Sequence, residues 1–314
     1  MEDKEGMNGM GIEFQPGDFE FLREEKEEEV LTRPSIGYWS DAWRRLRKNP
    51  VAILAILLLA ALTLMCIVGP SLTGYDYDAI SFSEKNSLPS AAHWFGTDKM
   101  GRDLFTRVCL GGRISLILGI AGALIDMLVG VVYGGVAAYC GGRTDAIMMR
   151  IVEILASIPY LILVVLVSLI VGKGTVSLLI ALCLTGWCHM ARLVRGQILQ
   201  IMDQEYLLAA HALGTPGYKI IFRHLIPNTL GVVIVAVTFD VPSFIFGEAF
   251  LSYIGLGVQA PLASWGSLAS DAQQTMAFYP YQLLFPAVCI ALTMLSFQLL
   301  GDGLRDALDP KLRQ

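Results

Sequence analysis

Six apolar runs divide the chain. The clearest, residues 51–69, carries no charged side chain, and nineteen helical residues at about 1.5 Å each approach the roughly 30 Å hydrocarbon thickness of a bilayer. The same reading assigns further spans to 114–139, 154–172 with a kink at Pro159, 176–191, 229–251 and 281–301, the fifth of them interrupted by Asp240, Pro242 and Glu248. Arg44, Arg45, Arg47 and Lys48 directly precede the first run, and Arg143, Arg150, Arg192, Arg195, Arg305, Lys311 and Arg313 fall on alternate connections. Basic residues stay on the cytoplasmic side, so both termini are expected there. Lys85, Lys99, Arg102, Arg107 and Arg113 oppose that rule, because they fall in an outer segment. Inverting the chain would expel Arg44 to Lys48 and the polar loop of residues 205–228.

Composition agrees with a polytopic membrane protein: 54% of residues are hydrophobic, 16% are charged and the mean hydropathy is +0.57. The net charge of −5 belongs to the first thirty residues, which hold eleven acids and three bases. Residues 1–36 are expected to be an acidic, disordered cytoplasmic tail, and lacking a basic start followed by an apolar core they are not a secretory signal. Cys66, Cys109, Cys140, Cys183, Cys188 and Cys289 lie in or beside apolar runs without ligand spacing, and His93, His189, His211 and His224 are scattered. Neither a disulfide framework nor a metal centre is expected.

The remaining boundaries follow. Residues 37–72 form an anchor and the first transmembrane helix, 73–112 an extracytoplasmic loop, 113–302 a five-helix core with an external loop at 255–280, and 303–314 a cytoplasmic end. Within the outer loop Gly96–Asp103 has two glycines five apart, but Arg102 and Asp103 replace the lysine and hydroxyl that a phosphate-binding loop needs. It reads instead as a capped turn, with Asp98 or Asp103 opening a short interfacial helix. Gly130 and Gly134 make a GxxxG pair suited to close helix packing.

Between the fourth and fifth runs, residues 203–228 are polar and basic yet patterned. Asp203 precedes a helical stretch with Tyr206, Leu207, Ala210 and Leu213, Gly214–Gly217 break it, and Tyr218, Ile221, Phe222 and Leu225 continue to Pro227. Two short helices meeting at a bend would serve as a docking surface, with small Ala209 and Ala210 admitting close approach. A hairpin lying on the lipid surface would have the same make-up.

The spacing of Ala209, Ala210, Gly214 and Pro227 resembles the EAA loop of permease subunits of ATP-binding-cassette importers. Leu208 stands where that family has Glu, with Glu205 one turn earlier as a substitute charge, and His224 and Ile226 replace Ile and Leu. HWFGTDKMGRDLFTRVCLGGRISL and LSYIGLGVQAPLASWGSLASDA are similar to segments of the peptide and nickel branch, in particular of the C-type subunit of dipeptide and oligopeptide systems. The resemblance implies an all-α integral membrane protein of about six transmembrane helices with a type I importer core. It implies that Glu205, Ala209, Ala210, Leu213, Gly214 and Pro227 couple to the ATPase. It further implies a bacterial inner-membrane location and, as partners, a second permease, two ATPase subunits holding ATP and Mg, and an extracytoplasmic solute-binding protein. No cofactor and no nucleic acid are expected in this chain, and it is no enzyme.

Three acids fall inside apolar runs: Asp126, Asp240 and Glu248. An ionised acid at mid-bilayer costs about 2.5–3.5 kcal/mol on insertion scales, so each faces water or the protein interior. They are the expected lining of a path for a cationic or zwitterionic solute, or else structural bonds between helices. Glu248 also matches an acid usual in the family's EASLSFLGLG-like segment. A proton-coupled carrier using Asp126 and Asp240 is the rival reading, although it would need an internal repeat that the sequence does not display.

Overall fold

Asn49 sets the first long helix. Its Oδ1 accepts from the backbone N–H groups of Val51 and Ala52 at 3.0 and 3.2 Å, and Pro50 takes the first helical position, where a missing N–H costs nothing. In this computed structural model, which describes residues 37–309, a short helix α1 (Tyr38–Leu46) precedes it, and α2 runs Pro50–Thr73 to a left-handed Gly74. The expected acidic tail and the terminal Lys311 and Arg313 lie outside the described residues.

α3 (Leu104–Cys140) starts earlier than expected. Asp103 is its cap, Oδ2 accepting from Thr106 N at 2.8 Å, and the interfacial helix foreseen after it continues into the membrane as one 37-residue element. The third run is broken rather than kinked: α4 (Gly142–Ala156) and α5 (Tyr160–Val171) meet at 83°, with Pro159, which has no N–H to donate, at the break. α6 (Thr175–Ile201) extends ten residues beyond the expected span. Then come α7 (Glu205–Ala212), α8 (Gly217–Lys219), a π-helical turn over Ile220–Leu225 and α9 (Ile226–Tyr253). α9 passes through Asp240, Pro242 and Glu248 without interruption. α10 (Trp265–Gln273) lies within the expected external loop, and α11 (Tyr281–Leu308) closes the chain.

Among the described residues five helices are long and apolar enough to cross a membrane, and the bent pair, counted as one span, makes six. Among the described residues the only extended pairing is an isolated bridge between Thr97 and Asp103. α3 and α6 share the most extensive packing, and the GxxxG pair lets them approach closely: a Cβ on Gly134 would meet the Ala191 carbonyl at 2.3 Å and one on Gly130 the Met190 Cβ at 2.6 Å. One core cluster, with Trp265, Leu178, Ile245 and Leu251, fills the end near the outer segment, and a second, with Met190, Ile198, Leu207 and Leu225, fills the opposite end.

Four of the five basic residues that opposed the expected topology lie close to acids or backbone carbonyls. Arg102 pairs with Asp98 at 2.7 Å and Lys99 with Asp271 at 3.1 Å. Arg113 donates to the carbonyls of Cys66 and Ile67, both at 2.7 Å, tying α3 to α2. Arg107 is 3% exposed, its Nε lying 3.7 Å from Asp98.

Candidate functional site

The 203–228 segment folds as two helical pieces meeting at a bend, and backbone chemistry fixes that bend. α7 ends in paired bonds, Gly214 N to His211 O at 2.9 Å and Thr215 N to Ala210 O at 3.1 Å. This is the Schellman arrangement, which needs a left-handed residue, and Gly214 sits at φ +72°. Asp203 does not cap α7. Gln204 occupies the N-cap without a side-chain bond. The second piece is not a separate helix either, because α8, the π turn and α9 run on as one element from Gly217 to Tyr253.

The loop has two faces. Leu207, Ile220, Ile221 and Leu225 are buried against Val131 and Ala138 of α3 and Val194 and Ile198 of α6, and Ala210 is buried too. Tyr139, at the end of α3, lies parallel to His211 at 5.8 Å between centroids. Its ring fills the place of a Gly217 side chain, whose Cβ would come within 2.6 Å. Asn228 Nδ2 donates to Tyr206 Oη at 3.0 Å, bracing α7 against α9. Outward stand Leu208, Leu213, Tyr218 and Phe222, with Leu213 85% exposed. Glu205, Ala209, Gly214 and Pro227 are exposed with them, while Ala210 faces its own chain. Four large apolar side chains thus stand exposed on the two pieces that meet at the Gly214 bend.

The interior acids sit in three different settings. Glu248 is fully buried, its two oxygens accepting from Ser115 and Ser252, each at 2.7 Å. Ser115 Oγ also accepts from Trp265 N at 3.3 Å, and Trp265 Nε1 donates to Val108 O at 2.9 Å. Glu248 thus joins α3, α9 and the start of α10. Asp126 is 2% exposed and packs against Gly186 of α6, where a Cβ would come within 1.9 Å of its Oδ2. Its Oδ1 has no hydrogen-bond partner among the described residues. Asp240 is partly exposed and lies within electrostatic reach of both Asp126 and His189.

Sequence reasoning missed Tyr139, the serines around Glu248 and α10. The last had a local signal: Ser264 and Ser267 form a capping box directly before and within α10.

Residues 130–314 match the family described as binding-protein-dependent transport system inner membrane component, and residues 37–89 match the N-terminal TM domain of oligopeptide transport permease C. This chain belongs to that permease family. The permease is 50% identical over 302 residues to the dipeptide transport system permease protein DppC of Bacillus subtilis, covering 95% of this chain and 94% of that one. It is 47% identical to the oligopeptide permease OppC of the same organism, covering 91% and 94%, and 44% identical to OppC of Escherichia coli K12, covering 88% and 92%. Its fold is similar to a chain of the MetNI methionine ABC transporter in an inward-facing conformation, at 20% identity and TM-score 0.54, over 65% of this chain and 96% of that one. As a member of this family the permease is a multi-pass inner-membrane transport subunit, and the energy-supplying hydrolysis belongs to other subunits. The proton-coupled reading finds no support in this membership.

Proposed function

We propose that this permease pairs with a second permease to form the path for di- or oligopeptides, delivered by an extracytoplasmic binding protein and driven by two ATPase subunits that hold ATP and Mg. The observation that carries the reading is the outward crest of Leu208, Leu213, Tyr218 and Phe222 on a bend whose other face is locked to α3 and α6. A surface that is apolar outside and rigidly fixed inside can turn a partner's motion into a tilt of the helices beneath it. Glu205 supplies the one acid of α7, at its N-terminus. The relatives' names favour a peptide cargo.

In this reading both termini are cytoplasmic, and Asp240, the acid with partial exposure, is the group of the three best placed to meet the amino terminus of a passing peptide. Asp126 stands behind it, and Glu248 holds the outer end together. The test is purification of the assembly from native membranes in mild detergent. Recovery of two ATPases and a second permease, with ATPase activity raised by the binding protein and its peptide, is the expected result. Isolation of this chain alone, moving solute down a proton gradient, would overturn the reading.

A further inference from the structure

Outside the transport machinery one element has an unusual composition. Helix α1 buries Ala42 and Leu46, the latter in a small cluster with Ala52, Leu304 and Ala307, so it is fastened to the start of α2 and the end of α11. Trp39 and Trp43 lie on the same apolar stripe, at the i, i+3, i+4, i+7 spacing with Ala42 and Leu46, yet are still 52% and 51% exposed. Arg44, Arg45, Arg47 and Lys48 follow, four bases against the single acid Asp41. Asp41 accepts from Arg44 at 2.7 Å and pairs with Arg45 at 2.9 Å, and the Arg47 guanidinium lies 4.7 Å above the Trp43 ring.

The position of this surface is set by its neighbour. Only Asn49 separates Lys48 from Pro50, the first residue of the spanning helix α2, so α1 sits at the membrane boundary. Exposed tryptophans favour the headgroup layer, where an apolar ring and a polar N–H are both accommodated. Clustered arginine and lysine at that depth complement an anionic lipid headgroup.

We propose that α1 is an interfacial helix that binds anionic phospholipid, with Trp39 and Trp43 entering the headgroup layer and Arg44, Arg45, Arg47 and Lys48 holding the phosphates. Asp41 tempers that attraction by occupying Arg44 and Arg45. The proposal rests on the importer reading only for the leaflet, which would be the cytoplasmic one.

The test places an environment-sensitive fluorophore at Ser40→Cys, an exposed position of α1, in the complete assembly. The assembly is reconstituted in nanodiscs of phosphatidylcholine with or without phosphatidylglycerol, and protein lacking the added cysteine supplies the background. Quenching by lipids that carry a nitroxide near the headgroup is expected to rise with phosphatidylglycerol and to fall at high salt. Each basic residue is expected to contribute about a five-fold change in partitioning. The quadruple variant Arg44→Gln, Arg45→Gln, Arg47→Gln, Lys48→Gln should lose the lipid dependence. Asp41→Asn should strengthen it, a direction that misfolding would not produce. Equal quenching in both lipids, or none in either, would overturn the proposal. So would a lipid dependence that emerges only after residues 2–30 are deleted, which would make the acidic segment the occupant of the cluster. Absence of ATPase stimulation by a binding protein would strike the importer reading alone and leave this readout intact.

Discussion

Tyr139 and His211 lie ring to ring, 4° from parallel, across the junction between the end of α3 and the bend of the 203–228 loop. The contact is possible because residue 217, where the second helical piece begins, is glycine. α3 runs unbroken from Leu104 to Cys140, so Tyr139 connects the loop to a helix whose far end is capped by Asp103. Tyr139→Ala is expected to lower peptide uptake while leaving ATPase docking intact, since an aromatic pair contributes about 0.5–1.5 kcal/mol beyond its buried area. Tyr139→Phe keeps the ring and should retain most uptake. Comparing uptake with stimulated ATPase activity in proteoliposomes checks both variants.

Gly214 is held at φ +72° with open space where a Cβ would project. Any side chain there meets only the backbone cost of the left-handed region, about 1–2 kcal/mol. Gly214→Leu should therefore leave the spanning helices assembled but distort the Schellman turn, uncoupling hydrolysis from uptake. Gly214→Asn, which tolerates that conformation, should lose far less. Uptake per ATP hydrolysed is the quantity to measure, and an unchanged ratio in Gly214→Leu would remove the bend from the coupling path.

Glu248 accepts from two serines while shielded from solvent on every side. Glu248→Leu would strand the Ser115 and Ser252 hydroxyls, at about 1–3 kcal/mol for each unsatisfied group. The expected result is a clear drop in melting temperature of the detergent-solubilised assembly. Glu248→Gln keeps an acceptor oxygen and an amide able to bond again, and should melt closer to the parent. If both variants melt normally but fail to transport, Glu248 acts in the path instead.

Most of the spanning architecture was legible in the sequence, because a membrane helix must be apolar along its length and that requirement writes itself into composition. Boundaries were less legible for a physical reason. Arg107 and Arg113 made the first turns of α3 look like a short helix outside the span, yet Arg113 bonds the carbonyls of α2 and Arg107 lies buried near Asp98. Charges that meet a neighbouring segment of the chain are indistinguishable, in one dimension, from charges in water. The bend at Gly214 was readable since only glycine fits it comfortably. The role of Tyr139 was not, because it depends on Gly217, seventy-eight positions away along the chain.

Asp126 and Asp240 provide the last prediction. Asp126 is packed against the backbone of Gly186 on α6, one oxygen unpartnered, and Asp240 on α9 lies within electrostatic reach of Asp126 and of His189. A peptide amino terminus passing Asp240 would gain a counter-charge in a poorly solvated setting, where it is worth more than in water. Asp240→Asn should therefore reduce uptake of peptides with a free amino terminus more than uptake of N-acetylated ones. Asp126→Asn should act on both equally, through packing between α3 and α6. Gly186→Ala separates these roles, since the added methyl collides with the Asp126 carboxylate without altering any charge. Competition assays with paired free and acetylated peptides measure the difference. An Asp240→Asn variant that treats the two alike would place the recognition of the amino terminus elsewhere in the assembly.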